Sequence, residues 1–443
     1  MTPPRQLHLN TNITALGRHP AGWRTLDNPR SIIDLNFFRE IAAIAERGKL
    51  DAVFLSDLLA LRNPAEGPSQ ALEPTVLLTA LAGATTHVGL IGTASTTFND
   101  PFNLARRFAS VDHLSGGRVA FNAVTTYDAS AAANFSHDVP LSTDERYARA
   151  QEFVEVVTKL WDSWEDDAFI ADQETGRYAD PSRVHAIDHR GTYFSVRGPL
   201  TVPRSPQGRP VLVQAGSSEG GRALAARFAD AVFTAQTTLP TAQAFYAEMK
   251  ERVRRHGRNP DHFLLLPGLY PVIGGTEAEA RRRKAELDAL LDTDREVGRL
   301  AGALGLAPDD LRIDAPLPYE LIAKTARSDI SRGFVDSTVA LAKSENLTVR
   351  DLLDRNPGAH RIIVGTPEQI ADDIAQWFHE RGADGFNLNA DVFPSGLAAF
   401  VDHIVPILQR KGIFRRDYES ATLRGHFGLP RPDSQYARHA HAA

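Results

Sequence analysis

Apolar and polar positions along the chain follow two periods in alternation. Eight stretches, 7–13, 52–57, 88–97, 118–126, 210–216, 231–236, 263–273 and 385–389, read as near-continuous apolar runs. That is the pattern of strands covered on both faces of a parallel sheet. Helical periodicity fills the intervals at 32–47, 74–84, 101–114, 144–164, 219–229, 241–256, 276–290 and 395–410. The segment 144–164 is the clearest. Tyr147, Ala150, Phe153, Val154, Val157, Leu160, Trp161 and Trp164 fall at three- and four-residue spacing and form one apolar stripe. Ser142 followed by Glu145 is a capping box that starts it. Pro101 opens the third helix, where a missing N–H costs nothing.

Eight strand–helix units fit an α/β fold closed as a (β/α)8 TIM barrel better than an open sheet. Two insertions interrupt the pattern. Segment 166–210 is mixed, with a hairpin expected around 193–202 that turns at Gly198-Pro199. Segment 291–361 is helical and charged, broken at Asp309-Asp310 and at Pro316 and Pro318. Beyond it, Ile362-Ile363-Val364-Gly365 leads into a helix start at Thr366-Pro367-Glu368. No internal repeat or low-complexity linker is visible. The expectation is a single barrel domain over 1–430 with both insertions as elaborations, then a flexible tail at 431–443.

Composition narrows the chemistry. At 443 residues the length alone would suggest three domains of about 150 residues, but the pattern reads as one elaborated barrel. The chain has no cysteine, which excludes disulfides, thiolate nucleophiles, Cys-ligated zinc and Cys-ligated iron–sulfur clusters. Redox chemistry would therefore have to come from a bound cofactor. Lys+Arg total 49 and Asp+Glu 55, a net charge of −6, which argues against nucleic acid or an anionic membrane surface as the main partner. No run of about 18 apolar residues exists, and no signal-peptide core precedes the first strand, so a cytoplasmic protein is expected.

Barrel sites form at the C-terminal ends of the strands. Those ends read Ser56-Asp57, Gly92-Thr93-Ala94-Ser95-Thr96-Thr97, Asn122-Ala123-Val124-Thr125-Thr126 and Gln214-Ala215-Gly216-Ser217-Ser218. They are small, hydroxylic and amide-bearing, and suit a flat heteroaromatic ligand better than a metal cage or a carboxylate pair. Gly216-Ser217-Ser218-Glu219-Gly220-Gly221-Arg222 is a strand, a turn and a helix start. It would hold a phosphate on free N–H groups and the helix dipole, or serve only as an N-cap. The same stretch matches G-x-S-x-G around Ser218, the elbow of a serine hydrolase, for which Asp391 and His403 could complete a triad. No HGGG-type loop precedes it, however. Asp57 would orient a ligand or cap a turn. Tyr147 lies on the apolar stripe, which favours a core position over a ligand contact. His19, in the loop after the first strand, is expected to be exposed at the barrel mouth as proton donor or substrate contact. G-x-G-x-x-G after a strand, G-x-x-x-x-G-K-[ST] and H-E-x-x-H are all absent, so neither an NAD(P)H site nor a metal site is indicated.

At these residues the chain resembles the class C, two-component flavin-dependent monooxygenases of the bacterial luciferase-like superfamily. More narrowly, it is similar to the nitrilotriacetate, dibenzothiophene-sulfone and long-chain alkane monooxygenase group. The matching stretches are His19-Pro20-Ala21-Gly22-Trp23-Arg24, 52–57, 93–97, Leu104-Ala105-Arg106, 112–118, 122–126, Asp144-Glu145-Arg146-Tyr147, 213–218 and Val364-Gly365-Thr366-Pro367-Glu368. They run in order from about residue 7 to 415. The resemblance implies a luciferase-like barrel that binds reduced FMN delivered by a separate NAD(P)H:flavin reductase. It also implies O2 as co-substrate, a C4a-(hydro)peroxyflavin shielded from water, and oxygenation of a small organic substrate by hydroxylation or C–N/C–S cleavage. By motif position, Asp57 and Thr93 would contact the flavin near its ring, Tyr147 would reach toward the phosphate end, and Ser217 and Ser218 would hold the phosphate. Where the family pattern has His before Asp-Glu-Arg-Tyr, this chain has Thr143, which offers only a hydroxyl to the flavin. His137, six residues earlier, could substitute. A homo-oligomer, dimer or tetramer, is expected, and a deazaflavin-dependent oxidoreductase of the same superfamily is the other cofactor reading.

Overall fold

The computed structural model describes residues 5–61, 63–68, 72–137, 139–216, 218–325, 332–355 and 360–437. Eight parallel strands close into a barrel. They are β1 (His8–Ile13), β2 (Ala52–Leu55), β3 (Gly89–Ser95), β4 (Val119–Val124), β5 (Val211–Ala215), β6 (Ala231–Thr234), β7 (Leu264–Ile273) and β8 (Gly385–Leu388). Each pairs with its sequence neighbour, and β8 pairs back onto β1 with His8 opposite Gly385, which closes the sheet. Every apolar run expected as a strand is one of these eight. The crossovers are α1 (Leu35–Arg47), α2 (Pro74–Ala82), α3 (Pro101–Leu114), α4 (Thr143–Trp161), α5 (Glu219–Phe228), α6 (Leu239–Arg255), α7 (Glu277–Asp288) and α8 (Pro367–His379). The Ser142–Glu145 capping box is present at the start of α4. No helix among the described residues is long and apolar enough to cross a membrane.

Alternate residues of each strand face the lumen. Its lower half is filled by Ala52, Phe54, Ile91, Val213, Phe233 and Leu266, among others. The floor comes from the segment after residue 410, which includes the short helix Leu423–His426. Leu423, Phe427 and Leu429 join the same cluster, and Leu423 fills the space left by Gly89 at the start of β3. Beside this floor Asp51, fully buried, accepts from Arg415 Nη2 (2.5 Å) and contacts His8 Nδ1 (3.0 Å). Burial pushes the Asp51 carboxyl up, but Arg415 and then His8 more than offset this and hold it below the usual carboxylate range.

Three expectations need correction. The hairpin of the first insertion is His189–Arg190 paired with Ser195–Val196, so it turns at 191–194 and Gly198-Pro199 lies beyond it. A second hairpin, Phe169–Asp172 with Arg177–Ala179, was not foreseen. The final helix is not continuous over 395–410: Phe400–Ile404 is a π turn just before Pro406, whose missing N–H prevents regular helical bonding there. Residues 431–437, expected to fray, pack against the first insertion. Arg431 pairs with Asp166 (2.5 Å), Ser434 Oγ donates to Asp162 O (2.9 Å) and Tyr436 stacks on His185. Residues 438–443 lie outside the described residues.

The second insertion supplies helices Thr293–Leu304, Tyr319–Lys324, Arg332–Ser344 and Val349–Asp354, which bury an apolar cluster of their own around Leu300, Leu304 and Leu352. It ends in a strand, Arg361–Gly365, that extends the upper half of β7 in parallel.

Candidate functional site

The best-built feature at the C-terminal ends of the strands joins α4 to α5. Gly216 leaves β5 with a φ of +137°, a conformation that favours glycine. Ser217 lies outside the described residues. Ser218 caps α5, its Oγ accepting from Gly221 N (3.3 Å). The Tyr147 hydroxyl, reaching across from α4, is 2.7 Å from Ser218 Oγ. The Tyr147 ring lies against the first turn of α5, and a Cβ at position 220 would stand 2.4 Å from it. Glycine is therefore required for the phenol to reach this helix start. Two residues 71 apart in sequence thus meet at a helix N-terminus that has unpaired N–H groups and a positive dipole end. Glu219 does not oppose an anion there, because Arg252 pairs with both of its carboxylate oxygens (2.7 and 2.8 Å). Gln214, 3% exposed, leaves Oε1 buried without a partner beside the same turn.

The remaining candidates are placed as follows. Thr93 is buried in the lumen wall and accepts from Asn122 Nδ2 (2.9 Å). Asp57 follows β2 and is half-buried; burial first, and the Glu73 carboxylate second, push its carboxyl up to about 6. Beside it opens a hollow of about 600 Å3 lined by Trp23, Ile32, Leu58 and Leu61, a size that accepts a small organic molecule. Thr143 is exposed at the first position of α4, and its Oγ1 accepts from Arg146 Nη2 (3.2 Å). His137, offered as its substitute, packs against Phe98. His19 is not exposed. It is 4% accessible, its Nδ1 accepts from Ala21 N (3.1 Å) and its Nε2 meets Asp288 Oδ1 (3.1 Å), so both ring nitrogens are engaged. Sequence reasoning passed over Arg146. It is buried beneath the α4 start with Nε unpartnered, and it lies within the quoted Asp-Glu-Arg-Tyr stretch.

A family model for luciferase-like monooxygenases matches residues 13–385. The chain belongs to the luciferase-like monooxygenase family. It is 44% identical to N-acetyl-S-(2-succino)cysteine monooxygenase of Bacillus subtilis (strain 168), covering 98% of this chain and 99% of that one. It is likewise 44% identical to nitrilotriacetate monooxygenase component A of Aminobacter aminovorans, with coverage of 98% and 99%. Among solved structures it is similar to EDTA monooxygenase from Chelativorans sp. BNC1, with a TM-score of 0.81 and 39% identity over 96% of this chain and 99% of that one. This luciferase-like enzyme is a flavin-dependent monooxygenase. The serine-hydrolase alternative fails on geometry as well. Ser218 has ordinary extended angles (φ −66°, ψ 161°), its hydroxyl is held by Tyr147, Asp391 is paired with Arg283, and His403 is exposed on the far helix.

Proposed function

We propose that this luciferase-like monooxygenase is the oxygenase component of a two-component system. It takes reduced FMN from a separate NAD(P)H:flavin reductase and uses O2 to oxygenate a small organic molecule beside N, S or an unactivated carbon. The observation that carries the reading is the Tyr147–Ser218 contact over Gly220 at the start of α5. This donor set fits a phosphate monoester: a phenol, a hydroxyl, helix N–H groups and no unpaired carboxylate. Bound reduced flavin supplies the electrons that activate O2. The chain's own residues do the rest. Tyr147 and Ser218 fix the phosphate, Thr93 and Asp57 border the ring side, Asp57 can exchange a proton near neutral pH, and the hollow beside it holds substrate.

That one relative is a component A supports a separate reductase. Nitrilotriacetate and N-acetyl-S-(2-succino)cysteine carry a tertiary amine and a thioether, which supports attack next to N or S. A deazaflavin reading is not favoured, since the two relatives that are 44% identical over nearly the whole chain are monooxygenases. The exposed apolar side chains Phe169, Ile170 and Tyr178 of the hairpin Phe169–Asp172 with Arg177–Ala179 support a dimer or tetramer, and the cysteine-free composition fits the cytoplasm. Anaerobic titration with reduced FMN, followed by mixing with O2 and a reductase, tests the reading. Saturable FMN binding with oxygen transfer to an amine or thioether is expected; failure to bind FMN in either redox state refutes it.

A further inference from the structure

The lumen changes character between its floor and its mouth, and β1 shows the change within one strand. Leu9 and Ile13 belong to the outer cluster shared with the helices, so His8, Asn10 and Asn12 point inward. His8 packs edge-on against Phe427 of the floor. Asn10 stands two residues higher, and Asn12 two more, near the C-terminal end of the strand. The same alternation along β8 turns Phe386 and Leu388 outward, and Asn387 and Asn389 inward. Asn387 is level with Asn10. Both amide atoms of Asn10 and the Oδ1 atoms of Asn12, Asn122 and Asn387 are buried with no partner among the described residues. Buried polar atoms are nearly always paired in a functioning protein, so this layer is shaped for a hydrogen-bonding guest.

One of these oxygens has its direction fixed by the backbone. The Asn387 carbonyl can only accept, and Asn389 Nδ2 donates to it (3.0 Å). Asn389 therefore turns Oδ1 toward Asn12, whose Nδ2 donates to it (3.0 Å). Turning either amide over would set oxygen against oxygen. Asn389 is anchored in its turn by its own N–H on Leu269 O (2.8 Å). The relay ends on Asn12 Oδ1, an acceptor that no donor among the described residues meets, on a side chain whose residue is only 8% exposed. Asn12 is in register with Phe54 of β2, and Asp57 follows three residues on, so this acceptor lies on the ring side of the site.

We propose that Asn12 Oδ1 accepts from the N–H that a flavin carries at N5 only when reduced, and so sets this enzyme's preference for reduced over oxidised flavin, with Asn389 as its positioning residue. Reduced flavin offers a donor at that nitrogen, whereas oxidised flavin offers a lone pair. A carbonyl oxygen that cannot turn over pairs with the first and opposes the second. With oxidised flavin bound, it would stay buried and unpaired, which favours release of the oxidised form. This role for Asn12 rests on the oxygenase reading above and adds to it the residue that chooses the redox state.

Titration of the full-length protein with FMN tests it, in air for the oxidised form and anaerobically for the reduced form, with quenching of protein fluorescence as the signal. Reduced FMN is expected to bind about tenfold more tightly than oxidised FMN, or better. 5-Deaza-FMN has carbon in place of that nitrogen. Its reduced form should be preferred by less than about twofold, a comparison that needs no change to the protein. Asn12→Leu should cut the FMN preference about tenfold by weakening the reduced form, while oxidised affinity moves less than about twofold. The midpoint potential of bound FMN should then fall by about 30 mV, the two-electron equivalent of tenfold. Asn389→Ala frees Asn12 to turn. It should lower the preference in the same direction and add nothing in the Asn12→Leu background, with circular dichroism reporting the fold of each variant. Equal affinity for the two redox states, the same preference with 5-deaza-FMN, or an unchanged preference in Asn12→Leu overturns the role of Asn12 alone. Failure of the wild type to bind FMN in either state refutes the oxygenase reading, and the role of Asn12 falls with it.

Discussion

Replacing Gly220 by Ala separates binding from folding at the Tyr147–Ser218 cradle. The new Cβ would stand 2.4, 2.5 and 2.9 Å from three atoms of the Tyr147 ring, about an ångström short of ordinary contact at the closest. The alternative to strain is for the phenol to swing out. That forfeits the Tyr147–Ser218 hydrogen bond, worth about 1 kcal/mol. It also removes a hydroxyl from a phosphate, a bond to a charged group worth about 1.5–3 kcal/mol. The first bond is lost from free and loaded protein alike, so only the second bears on affinity, roughly 10- to 10²-fold in Kd for FMN. Gly220 lies inside α5, where Ala is a better helix former by about 1 kcal/mol, so the melting temperature of the flavin-free protein should stay near wild type. The assay pairs anaerobic fluorescence titration of FMN with thermal melts. Gly302→Ala is the control, because a Cβ there meets nothing within 4 Å. FMN affinity within about threefold of wild type in Gly220→Ala would show that the cradle does not hold the flavin phosphate.

Other substitutions probe the remaining parts. Ser218→Asp places a carboxylate at the helix start and should abolish FMN binding; a serine-directed phosphonate should leave the wild type unlabelled, as read by mass spectrometry. Asp57→Asn bears on pH dependence. Because the folded carboxyl is raised from the ordinary value to about 6, the folded state holds the proton more tightly, and stability contributed by Asp57 is lost as pH rises from about 4 to 6. The variant should therefore lose that component of the fall in melting temperature across the same window, together with any turnover step titrating near 6. Arg415→Ala leaves Asp51 buried without its guanidinium and should cost about 3–5 kcal/mol in a denaturant titration; a loss under about 1 kcal/mol would contradict the pairing described for the barrel floor.

The strands were legible because a parallel sheet covered on both faces demands unbroken apolar runs, and the barrel follows from their number and spacing. What escaped depends on residues far apart in the chain. The hairpin turn at 191–194 is held by Glu152 of α4, whose carboxylate accepts from the N–H groups of Thr192, Tyr193 and Phe194; two-residue arms carry no period of their own. His19 reads as an exposed loop residue until α7, 269 positions later, brings Asp288 against it. Tyr147 reads as a core aromatic because its ring is on the apolar stripe, while its hydroxyl finds Ser218 only once α4 and α5 pack together. Thr93 and Asp57 were visible as polar strand ends, a signal that period and register make reliable.

The lumen floor also sets an order of events. Leu423, Phe427 and Leu429 are synthesised after every strand they seal, and Leu7 at the start of β1 waits for Ile413 to accept its N–H. A nascent chain can form its early strand–helix units, but the barrel stays open at its base until those residues emerge from the ribosome. Closure is therefore a late step joining β1 to the segment that follows the barrel's strands, and a chain stopped short of the floor would leave the lumen's apolar base exposed to water.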